Sequence, residues 1–93
     1  MNEVEDLEEH TLEEVLEQVT TVGEAFDLMS MLYDTTSYNF HMRRQPNGWL
    51  CEVMQVEKIV NNNQTTYKEN FILRKTGPKF VETFKAAVRI CLK

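Results

Sequence analysis

The chain has little of what small extracellular or membrane domains depend on. Its 93 residues hold two cysteines, Cys51 and Cys91, too few for a disulfide framework. They read instead as reduced, small core residues of a cytosolic protein. No apolar run approaches the roughly 18 residues of a membrane span, and the acidic N-terminus lacks the basic start and apolar stretch of a signal peptide. Only two histidines occur, His10 and His41, in different regions. Neither stands at ligand spacing from a cysteine, and no nucleophile, base and orienting group are spaced as a catalytic set. Ser30 and Ser37 lack an elbow motif, and no glycine-rich phosphate loop is present. The expectation is therefore a non-enzyme without metal or cofactor.

Basic residues are missing from one third of the chain. Residues 1–34 contain eleven Asp and Glu and no Lys or Arg, whereas the remainder carries ten Lys and Arg against four acids. The net charge of −5 hides this division. Such asymmetry points to an internal partner or an external one of matching sign.

What remains suffices for one domain. Hydrophobic residues make up 42% of the chain, with five Phe, three Tyr and one Trp for bulk. A chain of this size buries about 65% of the area its unfolded form exposes, enough for a single core. No internal repeat, low-complexity linker or second domain is visible. Residues 1–10, nearly all acidic, read as a disordered arm, and residues 11–93 as one domain.

Thr11-Leu12-Glu13-Glu14 is a capping-box pattern, followed by Leu12, Val15, Leu16, Val19 and Val22 at helical spacing. Thr21-Val22-Gly23-Glu24 repeats the pattern before a stripe of Val22, Ala25, Phe26, Met29, Leu32 and Tyr33. The two stripes differ in direction by roughly 70–80° on the helical wheel, so two short helices or a bend near Thr20–Gly23 are expected. Three strands follow, near 38–45, 49–60 and 65–75. Pro46-Asn47-Gly48 reads as a three-residue hairpin loop, pairing Arg44 with Leu50, Phe40 with Met54 and Tyr38 with Val56. A turn at 61–64 pairs Met54 with Phe71 and Glu57 with Lys68. One face would then carry Tyr38, Phe40, Met42, Leu50, Met54, Val56, Phe71 and Leu73 as the core. After Thr76-Gly77-Pro78, the residues Phe80, Phe84, Ala87, Val88 and Cys91 form the stripe of a last helix. The fold class is α+β in the order α-α-β-β-β-α, with a three-stranded antiparallel meander.

From residue 22 onward, this order resembles the double-stranded-RNA-binding domain. The resemblance is one of topology. Thr76-Gly77-Pro78-Lys79-Phe80-Val81-Glu82 offers one lysine and one acid where that family presents a lysine cluster. Pro46-Asn47-Gly48 carries no histidine where that family's loop does.

Two surfaces are candidates for binding. In the register above, the second sheet face shows an apolar strip of Trp49, Cys51, Val53 and Ile72, to be covered by a helix, a second subunit or a partner. The basic residues Arg43, Arg44, Lys68, Arg74, Lys75 and Lys79, with Trp49 stacking, would form an anion or nucleic-acid surface, to which the acidic arm is an autoinhibitory competitor. The net charge of −5 disfavours that alternative. The favoured expectation is a small cytoplasmic, non-catalytic protein-binding module. Its acidic helices, through Glu13, Glu14 and Glu17, would engage a basic surface of a partner in the manner of nucleic-acid-mimicking inhibitors from phages and mobile elements. Homodimerisation through Trp49, Val53 and Ile72, or through the Leu12/Val15/Leu16/Val19 stripe, is compatible with it.

Overall fold

A computed structural model describes residues 11–92, and the arm expected over residues 1–10 lies outside them. The elements run α1 (Leu12–Glu17), α2 (Val22–Thr36), β1 (Tyr38–Gln45), β2 (Gly48–Asn61), β3 (Gln64–Gly77) and α3 (Phe80–Leu92). The strands make one antiparallel sheet in the order β1-β2-β3. Helices α2 and α3 pack on one of its faces and on each other, giving the α+β architecture read from the sequence.

Two capped helices, rather than one bent helix, reconcile the two apolar stripes. The Thr11 side chain accepts a hydrogen bond from the Glu14 amide at 3.1 Å. The Thr21 hydroxyl accepts one from the Glu24 amide, also at 3.1 Å, while the Glu24 carboxylate accepts from the Thr20 and Thr21 amides at 3.2 and 3.1 Å. Those bonds satisfy amides that a helix start otherwise leaves without partners. Ser37 ends α2 in the left-handed region, at φ 64°. The buried residues of α2 are Ala25, Leu28, Met29 and Leu32, whereas Val22, Phe26 and Tyr33 are exposed. The stripe expected there was thus centred too far around the helix. The spacing 25, 28, 29, 32 is the tighter fit to one face, and Phe26 lies about 100° from it.

The first hairpin corrects the expected register by one residue. Its loop is Pro46-Asn47 alone, with Gln45 opposite Gly48, so Phe40 faces Val53, Met42 faces Cys51 and Tyr38 faces Gln55. Gly48 allows this, since its φ is +152° and a Cβ there would lie 2.3 Å from the Gly77 carbonyl oxygen. Only glycine lets β2 begin so close to the end of β3. Slipping one residue exchanges the faces of a strand. Cys51 and Val53 therefore point into the core with no exposed surface, and Trp49 shares their face. Leu50, Met54 and Val56, expected in the core, lie on the opposite face.

A bulge in β3 completes the reassignment. Leu73 pairs with Val53 and packs on the core, but Phe71 pairs with Met54, leaving Ile72 as the extra residue. Phe71, expected in the core beside Leu73, is 51% exposed on the outer face. The second turn follows the expected register, with Met54 opposite Phe71 and Glu57 opposite Lys68. Its central residues Asn62 and Asn63 have φ of 50° and 66°, as a two-residue hairpin turn requires.

The core joins all three helices to this face. Leu16 of α1, Ala25 of α2 and Phe84, Ala87 and Val88 of α3 have no exposed surface. Phe84 meets Phe40 edge-on, with ring centroids 5.4 Å apart. Burial of this apolar set stabilises the fold by about 1.5–3 kcal/mol for each large side chain.

Candidate protein-binding surface

Helices α1 and α2 form an outer layer rich in carboxylates. Among the residues of this layer, Glu14, Glu17, Glu24, Asp27 and Asp34 are exposed, and the chain between Thr11 and Met42 contains no Lys or Arg. Asp27 and Asp34 stand seven residues apart, two helical turns, which stacks them on one ridge about 10 Å along the α2 axis. Glu24, three residues before Asp27, joins the same side. Hydrogen bonds from the Thr20 amide, the Thr21 and Thr20 hydroxyls and the Thr21 amide hold the Glu24 carboxyl below its ordinary value of 4.5. Its charge is thereby fixed in place.

The acidic layer is docked on the domain. Arg89 of α3 donates through Nε to both carboxylate oxygens of Glu13, at 3.0 and 3.1 Å, while Leu16 and Val19 are buried in the core. Of the three carboxylates singled out in the sequence, Glu13 is thus engaged within the chain, and Glu14 and Glu17 stand exposed on α1. Asp27 and Asp34 were not singled out. Their seven-residue spacing on the polar side of α2 is the signal that identifies them.

The expected apolar strip does not exist as a surface. Val53 is enclosed, Trp49 packs edge-on against Phe80 with centroids 4.9 Å apart, and Ile72 alone is exposed, at the bulge. The alternative stripe for pairing, Leu12/Val15/Leu16/Val19, faces the core as well.

The six cations are not brought together either. Arg43 and Arg74 lie on the outer sheet face and converge on Glu52, with nitrogen–oxygen distances of 3.3 and 3.1 Å. Arg44 projects from the helix-covered face over the Trp49 ring, at 5.3 Å. Lys75 and Lys68 share that face by register, opposite Cys51 and Glu57, and Lys79 precedes α3. Adjacent Arg43 and Arg44 alternate between faces, the bulge at Ile72 puts Lys68 and Arg74 on opposite faces, and the one-residue slip turns Trp49 away from Arg43 and Arg74. His41 pairs with Glu69 at 3.3 Å on the outer face.

Burial pushes the Cys51 thiol up to about 12, with the neighbouring Cys91 and Glu52 adding to it. Burial also raises Cys91, offset in part by a hydrogen bond with Tyr38. Neither environment favours a thiolate. Among the described residues, no three His, Cys, Asp or Glu side chains converge to hold a metal ion. No described helix is long and apolar enough to cross a membrane. Comparison of the chain with protein-family models, curated proteins and solved structures finds no match.

Proposed function

We propose that the protein is a small, non-catalytic, cytoplasmic protein-binding module whose acidic helical side engages a basic surface of a partner. The observation that carries this is the cation-free layer of α1 and α2, on which Glu17, Asp27 and Asp34 have no ion-pair partner among the described residues. Carboxylates left unneutralised on a rigid helical surface steer a basic partner and give association a steep salt dependence. A partner surface that ordinarily holds phosphates is the natural complement, so inhibition of a nucleic-acid-binding protein is the mode of action we favour. Direct nucleic-acid binding has less support, because the candidate cations divide between two sheet faces and two of them already share Glu52.

The test is parallel capture from a cell extract on immobilised full-length protein and on an E17Q/D27N/D34N variant shown by circular dichroism to be folded. The expected result is a basic protein held by the first at low salt, released as salt rises, and absent from the second. Equal capture by both would refute the assignment, as would binding of labelled DNA or RNA that persists in the variant.

A further inference from the structure

The sheet face away from the helices is uncovered. By the register it carries Met54, Val56, Val60, Tyr67 and Phe71 in one apolar line, with the buried Leu50 set apart from it by Glu52 and Arg74. Strands β2 and β3 continue past the start of β1, which ends at the Tyr38–Gln55 pair, so their distal halves project as a two-stranded hairpin. There Val60 and Tyr67 are 65% and 66% exposed. The hairpin is amphipathic: its other face is mainly polar, with Gln55, Glu57, Lys68 and Thr66. A two-stranded ribbon is marginal alone in water, and a solvated one has no need of an apolar side continuous with Phe71.

We propose that this outer face is the dimerisation surface for a second copy of the chain, packed face to face about a two-fold axis. Two features select a second copy as the occupant. The first is charge. The chain is −5 overall, but the outer face carries Arg43, Arg74 and Lys58 against Glu52 and Glu69, so it is close to neutral. Its carboxylates are already paired, Glu52 by the two arginines and Glu69 by His41. Two copies can therefore meet here with little repulsion, Lys58 being the one cation of this face without an ion pair among the described residues, while their acidic helices point to opposite ends of the dimer. The second is size. Strands of 14, 14 and 8 residues, at about 3.4 Å per residue and 4.8 Å apart, offer a flat footprint of roughly 600 Å² before side-chain relief is added. A standard interface takes about 800 Å² from each partner, so the whole face is of the scale required and a fragment of it is not.

Sedimentation of the full chain across about 1–200 µM, the range in which a micromolar dimer dissociates, tests the proposal. The expected result is a mass twice 11.0 kDa at the upper end. A Tyr67→Lys/Phe71→Lys variant, altered only at exposed positions, is expected to weaken dimerisation at least about tenfold with an unchanged circular dichroism spectrum. Phe26→Lys, which alters an exposed aromatic on the helical side, should leave the dimer intact. A monomer at all concentrations would overturn the proposal. So would a dimer indifferent to the double variant, or one lost on changing Phe26.

Discussion

Helix α1 has six residues, far fewer than an isolated helix needs in water, so something tertiary holds its carboxylates in place. Two contacts compete for that role: the Glu13–Arg89 ion pair and the burial of Leu16. The ion pair has good geometry, but its side chains retain 45% and 36% of their exposure. Pairs so solvated contribute about 0–1 kcal/mol. Leu16 has no exposed surface, and Leu→Ala at such a site costs about 2–5 kcal/mol. Burial therefore wins by several-fold. In urea, with an m-value of about 1.3 kcal/mol/M, Leu16→Ala should lower the midpoint by roughly 2 M and Arg89→Ala by less than about 0.7 M. The Arg89 effect should shrink further at high salt. If Arg89→Ala proved as damaging as Leu16→Ala, or if salt alone released α1 as judged by amide exchange, the ordering argued here would be wrong.

Four further outcomes are expected. Thr21→Ala should cost about 1 kcal/mol through loss of the α2 cap, read from the urea midpoint. The carboxyl of Glu24, which shares that cap, sits below 4.5 when folded. Its contribution is complete above its unfolded value and is lost as pH falls through the depressed one. The midpoint difference between wild type and Glu24→Gln should therefore close on acidification below about pH 4.5. At pH 8, a thiol reagent should leave Cys51 unmodified in the folded protein and react with both cysteines in urea. Gly48→Ala should destabilise by about 2 kcal/mol or more, because its Cβ would meet the Gly77 carbonyl; a neutral thermal melt would contradict that.

The element order and the helix starts were legible in the sequence because the Thr-x-x-Glu caps and the stripe of α3 are local patterns. The faces of β2 were not. That strand alternates Trp49, Cys51 and Val53 with Leu50, Met54 and Val56, so either face is apolar enough to be a core. The choice rests on where the first hairpin turns, and Gly48 could serve either a two- or a three-residue loop. A slip of one residue then carried Trp49 and Val53 from an expected surface into the helix-covered side. Phe71 turns outward with its partner Met54, and its separation from Leu73, which stays on the core face, rests on the bulge at Ile72, which no local signal marks. The acidic surface was legible as composition, but the uptake of Glu13 by Arg89, 76 residues away, follows from tertiary packing that no local pattern marks.

The most direct test of the acidic helical side as the binding surface is an NMR titration of the isotope-labelled full chain with a short arginine-rich peptide. Amide shifts at Glu17, Asp27, Asp34 and their neighbours, abolished by salt and absent in the E17Q/D27N/D34N variant, are the predicted result. Shifts centred on Glu52, Glu69 and the outer sheet face, or none on α1 and α2 at low salt, would contradict the account.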